Sequence, residues 1–178
     1  MARRREFEPA DIRELIDELV RRLEARGISG AIRIVGGAAL ALRYPDDPDI
    51  RVTQDVDATW EPRAAVSRVI TEIAAERGLE VDWINPAAAS WLRTDAPSQS
   101  GGFHVVIATP EQLVAMKLAA GREQDLADLR VLAKHLGIRS AERLVEIAYE
   151  IYGDDSVELP DGRESYVLLA QAVLDRGR

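Results

Sequence analysis

Cysteine is absent from this chain, and histidine nearly so, with only His104 and His135 among 178 residues. Without cysteine there are no disulfides, no thiolate metal sites and no cysteine nucleophile. Two histidines far apart in sequence argue against zinc, whose sites usually draw three or four ligands from nitrogen and sulfur donors. No apolar run approaches the roughly 20 residues that span a bilayer. Arg3, Arg4 and Arg5 precede a polar, charged helical pattern rather than an apolar signal core, so a cytoplasmic location with no membrane partner is expected. An excess of positive charge is missing too. The net charge is −8, which counts against a general nucleic-acid-coating role while leaving room for a local basic groove. Arginines 21, 22, 26, 33, 43 and 51, with those at 3–5, concentrate positive charge in the first third. Solvated helix faces are the favoured account of any single one outside the motif region.

What remains is ordinary globular material, 47% hydrophobic and 30% charged, long enough for one domain with a substantial core. The pattern predicts a sheet-containing core over about 1–108 and a helical part over about 109–178. Pro9-Ala10-Asp11 opens a helix to about Arg26, with Ile12, Leu15, Ile16, Leu19, Val20 and Leu23 on one apolar face and Gly27 as its stop. Ala31–Val35 reads as a strand, Gly36-Gly37 as the start of a short helix, and 44–49 as a loop. A strand is predicted over Thr53–Trp60 and a helix from Pro62 to Arg77. A third strand is expected over Leu79–Ile84, a short helix over Ala87–Leu92, a loop over Thr94–Gly102 and a fourth strand over Phe103–Ala108. Helices follow over Pro110–Ala120, Glu123–His135, Ser140–Tyr152 and Glu164–Leu174. The expected class is α/β (α+β), a small mixed sheet flanked by helices with a helical C-terminal part.

The chemistry concentrates first at Asp55 and Asp57. Two residues apart on a strand, their carboxylates would share one face, with Val56 and Ala58 on the other. Like charges that close repel unless a cation lies between them. An all-oxygen pair suits a hard ion, Mg²⁺ with Mn²⁺ as the alternative. Acidic residues are poor strand formers, so two on one face need a reason. Upstream, a strand running into Gly36-Gly37 and then a helix offers backbone N–H groups to an anion such as phosphate. A tight turn against the sheet explains the glycines as well. Neither a Walker loop nor a dinucleotide fingerprint is present, since the Gly-Lys-Ser/Thr of the first and the third glycine of the second are missing.

The order strand, glycine pair, helix, loop, Asp-x-Asp strand resembles the polymerase-β-type nucleotidyltransferase fold. The interval from Gly37 to Asp55 is longer than in minimal members, as if a loop were inserted around Pro45–Asp49. A second block, Ile107-Ala108-Thr109-Pro110-Glu111 through Lys117 to Arg122-Glu123-Gln124-Asp125-Leu126-Ala127-Asp128-Leu129, is similar to the distal motif of AbiEii/MenT-type nucleotidyltransferases and their smaller relatives of the DUF6036 kind. Together the resemblance covers about residues 31–132.

Residue chemistry gives this block two readings. Lys117 lies in an apolar helical run, where a lysine either snorkels to solvent or meets an anion. At helical spacing Lys117, Gly121, Asp125 and Asp128 line one side; a break at Gly121 would instead give two helices. A surface salt-bridge cluster is the alternative. Asp82 is either a third carboxylate on a neighbouring strand or an edge residue facing water. Arg51, with a planar fork of donors, and Thr53 precede the aspartate pair and could touch a triphosphate. His104 reads as structural, and Trp60, Trp83 and Trp91 as core unless one stacks a base.

The resemblance implies a metal-dependent, pyrophosphate-releasing transfer of NMP from an NTP. Asp55 and Asp57 would hold the metal, with Asp82 as a third ligand. Gly36, Gly37, Arg51, Thr53 and Lys117 would bind the nucleotide. Asp125 would position Lys117 or the acceptor, with Arg122 and Asp128 as further candidates. It further implies a toxin of a toxin–antitoxin pair, using CTP or another pyrimidine NTP on tRNA 3′ ends and neutralised by a cognate antitoxin. The charge of −8 fits an RNA acceptor poorly. NMP transfer to a partner protein, as in antitoxin-type enzymes, and a non-catalytic binding protein retaining the fold are the alternatives.

Overall fold

The structure is a computed structural model that describes residues 6–87 and 101–176. The helix expected over Ala87–Leu92 apart from Ala87, most of the loop after it, Trp91 and Arg3–Arg5 lie outside the described residues. Among the described residues there are seven helices and four strands, a mixed α/β arrangement. They form two compact units that part between Ala108 and Thr109.

The first unit begins with α1 (Pro9–Ala25), where Pro9 occupies the first turn and the Glu8 N–H donates to Asp11 Oδ2 at 3.0 Å. Its Ile12, Leu15, Ile16, Leu19 and Leu23 are buried as the periodicity requires. Strand β1 (Gly30–Ile34) leads into α2 (Gly36–Arg43), followed by β2 (Val56–Glu61), α3 (Arg63–Arg77), β3 (Ile84–Asn85) and β4 (Phe103–Ile107). The sheet order is β3-β2-β1-β4. Strand β1 pairs antiparallel with β2, setting Ile34 opposite Ala58, and parallel with β4. Strand β2 pairs parallel with β3, setting Asp57 beside Asn85. Helix α1 packs on α2 and α3, and all three helices of this unit contact the sheet.

Two strand expectations are corrected here. The Asp-pair strand begins at Val56 rather than Thr53, and Asp55 lies in a bend ahead of it. Thr53 instead makes an isolated antiparallel bridge to Phe7, with Phe7 N–H donating to Thr53 O at 2.7 Å. The third strand shrinks to Ile84–Asn85. Its alternating Leu-Glu-Val-Asp-Trp-Ile pattern does not mark a buried face, since Val81 is 77% exposed.

Among the early arginines, Arg22, Arg26 and Arg43 are engaged within this unit. Arg22 pairs with Glu76 at 2.6 Å and Arg26 with Glu72 at 2.5 Å, joining α1 to α3. Glu18, buried on α1, is held between Arg22 and Arg77. Burial pushes its carboxyl up, and hydrogen bonds from Arg77 and Arg22 outweigh that, leaving it below the usual carboxylate range. Arg43 donates to the Ala108 and Ile107 carbonyls at 2.5 and 2.8 Å, closing off the end of β4.

The second unit is helical. Helix α4 (Pro110–Ala120) starts with a reciprocal cap, in which Thr109 Oγ1 accepts from Gln112 N–H and Gln112 Oε1 accepts from Thr109 N–H. It ends at Gly121, and α5 (Glu123–Leu136), α6 (Ala141–Tyr152) and α7 (Arg163–Asp175) follow. Helix α4 packs against α5 and α6, and α7 against α5 and α6. No helix is long and apolar enough to cross a membrane, among the described residues.

Candidate functional site

In the first unit the sequence order becomes a spatial cluster at the start of α2. Val35 leaves β1 as the residue before the helix, and its N–H donates to Asp57 O at 2.8 Å. That bond, with the Ile34–Ala58 pairing, fixes the Asp57 backbone beside the glycine pair. Gly36 has φ +63°, a region only glycine enters readily, and a Cβ built on it would lie 2.7 Å from Asp57 Oδ2. The carboxylate thus occupies the space a side chain would need. Thr53 stands on the same turn, with its Oγ1 3.6 Å from where a Cβ on Gly37 would sit.

Asp57 is half-buried on β2, with Val56 and Ala58 buried on the opposite face as expected. Asp55 lies ahead of the strand, so strand alternation does not set its carboxylate beside that of Asp57, and other contacts hold it. The Thr53 hydroxyl donates to its backbone carbonyl at 2.9 Å, and Asp55 Oδ2 accepts from Asn85 Nδ2, also at 2.9 Å. Asn85 is itself oriented, because its Oδ1 accepts from the Ala87 N–H at 2.9 Å. Sequence reasoning read Asn85 only as the end of a strand. The only sequence signal was a poor strand former followed by Pro86; its register beside Asp57 comes from the fold.

Gly36, Gly37, Thr53 and Asp57 therefore stand together, with Asp55 tied to them through Thr53 and Asn85. Asp82 is exposed in a turn rather than on a strand, and its backbone carbonyl receives Asn85 Nδ2 at 3.4 Å. Arg51 is exposed in an irregular segment. Among the described residues no group of three or more His, Asp or Glu side chains is placed to hold a metal ion. The Asp57 carboxylate and Thr53 hydroxyl stand at the glycine turn and the Asp55 carboxylate on Asn85, all of them oxygen donors. Mg²⁺ is commonly held by one or two carboxylates, with substrate phosphates and water completing its shell, so this set fits Mg²⁺.

Lys117, Arg122, Asp125 and Asp128 converge within the second unit. Gly121 adopts φ +59° and turns the chain, so α5 returns toward α4 instead of prolonging it. Lys117 Nζ then lies 2.8 Å from Asp125 Oδ1 and 2.6 Å from Asp128 Oδ2. Arg122 Nε donates to Asp125 Oδ2 at 2.6 Å. Lys117, Asp125 and Asp128 are buried, and the Asp125 side chain is fully so. Burial pushes the Asp125 carboxyl up; hydrogen bonds from Arg122 and Lys117 and their charges more than offset it, holding it below the usual carboxylate range. The lysine neither snorkels nor sits in a surface cluster, since two carboxylates take its ammonium in the interior.

Two other expectations are located. His104 Nε2 meets the Gly101 carbonyl at 2.8 Å. Trp83 is buried with its indole N–H toward Ile70 O at 3.4 Å, while Trp60, half-buried, donates to Ser67 Oγ.

No family model matches this chain, and neither a curated protein nor a solved structure does.

Proposed function

We propose that this chain is a metal-dependent nucleotidyltransferase of the polymerase-β type, transferring NMP from an NTP to an acceptor with release of pyrophosphate. One observation carries the reading: the Asp57 carboxylate and Thr53 lie directly against the Gly36-Gly37 helix start. A glycine-led helix N-terminus and one acidic side chain thereby meet at one point, which supports a phosphate-and-metal reading.

In this reading Asp55 and Asp57 hold Mg²⁺, or Mn²⁺ in its place. The ion, when bound, neutralises charge developing on the phosphates. The first-turn N–H groups of α2 have no carbonyl four residues back and are oriented for the nucleotide's phosphates. Asn85 keeps Asp55 from rotating away. Thr53, pinned by its bridge to Phe7, sets the bend that brings Asp55 in. Positioning and electrostatics then supply most of the acceleration. Lys117 and Asp125 enter through the order of the two motifs in the sequence. The bond between them supports the positioning role assigned to Asp125.

The finer reading is a cytoplasmic toxin acting on tRNA 3′ ends with CTP or another pyrimidine NTP, restrained by a cognate antitoxin. A protein acceptor is the second reading. It is favoured by the net charge of −8 and by the engagement of Arg22, Arg26, Arg43 and Arg77 in internal contacts, which leaves less positive surface for RNA. Incubating the chain with Mg²⁺, each labelled NTP, total tRNA and cell lysate separates them. Label on RNA supports the first acceptor and label on protein the second. No product, together with no binding of metal or NTP, leaves the non-catalytic reading.

A further inference from the structure

The second unit carries an open cavity of about 410 Å³ that the reaction above does not use. Arg130, Lys134 and Arg139 line it together with the apolar Ala133, Ile138, Val173 and Leu174. Its volume falls within the range of about 300–1,000 Å³ typical of small-molecule sites, which combine apolar walls with a few polar groups. Helical spacing puts Arg130, Ala133 and Lys134 on one face of α5, and Arg139 follows just past its end. Three cationic side chains border one hollow in a chain of net charge −8, and Lys134 among them is already engaged in an interaction of its own. Among the described residues neither Arg130 nor Arg139 has a carboxylate partner.

The end of a helix ordinarily repels anions, because its last carbonyls point outward. That objection is weakened here. Ile138 N–H donates to Ala133 O at 2.8 Å and Gly137 N–H to Lys134 O at 3.2 Å, so two of those carbonyls are already engaged. Guanidinium groups match phosphate with two parallel donors, and cations over an apolar floor select an anion that also carries an apolar body.

We infer that this cavity binds a small organic phosphate, a phosphomonoester with an apolar or aromatic body. The phosphate meets Arg130 and Arg139, and the body rests on Ala133, Ile138, Val173 and Leu174. The inference stands on the second unit alone and is independent of the transferase reading.

Amide NMR on the full chain, titrated separately with phenyl phosphate, inorganic phosphate and phenol, tests it. Phenyl phosphate should give saturable shifts confined to the amides of 130–139 and of Val173 and Leu174. It should bind about tenfold more tightly than either fragment, since only it engages both halves of the site. Arg130→Gln with Arg139→Gln should weaken it by about tenfold or more, through loss of charge-assisted bonds, without changing the spectrum elsewhere. Arg139→Gln alone, at an exposed position outside any helix, serves if the pair does not fold. The inference is overturned by the absence of saturation, by shifts centred elsewhere, by equal affinity for inorganic phosphate, or by variants that bind like the parent.

Discussion

Gly36→Ala probes the contact on which the functional reading rests, and its cost divides into two parts. At φ +63° an alanine takes on the left-handed penalty, about 1 kcal/mol. Its Cβ would also stand 2.7 Å from Asp57 Oδ2, closer than real Cβ atoms come. The Asp57 backbone cannot retreat, because it lies in β2 opposite β1 and accepts from Val35 N–H. The side chain must therefore rotate off its preferred geometry, which costs about 0.5–1.5 kcal/mol. Denaturant titrations of the parent, Gly36→Ala, Asp57→Ala and the double variant form a cycle. Gly36→Ala should cost about 2 kcal/mol in the parent background and about 1 kcal/mol once Asp57 is removed, a coupling of about 1 kcal/mol. Transferase activity should fall in Gly36→Ala far more than stability does, since the displaced group is the proposed metal ligand. A cost identical in both backgrounds would refute the contact, and with it the argument that joins the glycines to the acidic strand.

Three further outcomes follow from the same geometry. Lys117→Met removes the buried cation between Asp125 and Asp128, leaving Arg122 on Asp125, and should cost about 3 kcal/mol in a denaturant midpoint series. A cost under about 1 kcal/mol would mean the cluster is solvated. Asp125 and Glu18 both titrate lower in the folded chain than unfolded. Their stabilisation is therefore present above the unfolded carboxylate value of about 4 and is lost as pH falls through the folded values. Thermal unfolding midpoints should drop below about pH 4, and less steeply in Glu18→Gln, than in the parent; parallel slopes would contradict the assignment. Asn85→Ala removes the donor to Asp55 Oδ2 and should weaken Mn²⁺ affinity measured by paramagnetic resonance while β2 remains paired, whereas unchanged affinity would show that Asp55 needs no such support.

The parts of the fold that announce themselves locally were legible. Helices α1, α3, α4 and α5 carry proline starts, apolar stripes or glycine stops, and their ends fall within a residue or so of the pattern. Long-range pairing was less accessible. Thr53 reads as the start of a strand, yet it is claimed by Phe7, far upstream, and the chain bends before β2 begins. Leu79–Trp83 alternates like a strand, but only Ile84 and Asn85 find a partner.

The candidate site divides the same way. The glycines and both aspartates are visible as motifs, and the fold sets Asp57 against Gly36. Asn85 and Glu18 went unnoticed because their roles depend on contacts from other elements, respectively β2's approach and the Arg22 and Arg77 guanidiniums. Lys117 was legible as a cation needing an anion. Which anion it meets depends on the corner at Gly121, which folds α5 back and supplies Asp125 and Asp128.

Parallel reactions with NTP labelled at the α- or the γ-phosphorus, with Mg²⁺ and both RNA and protein acceptors, test the central claim most directly. The account predicts that α-label enters an acceptor, that γ-label leaves as pyrophosphate, and that Asp57→Ala abolishes the transfer while remaining folded. Transfer of γ-label, or α-label transfer that survives Asp57→Ala, would contradict it.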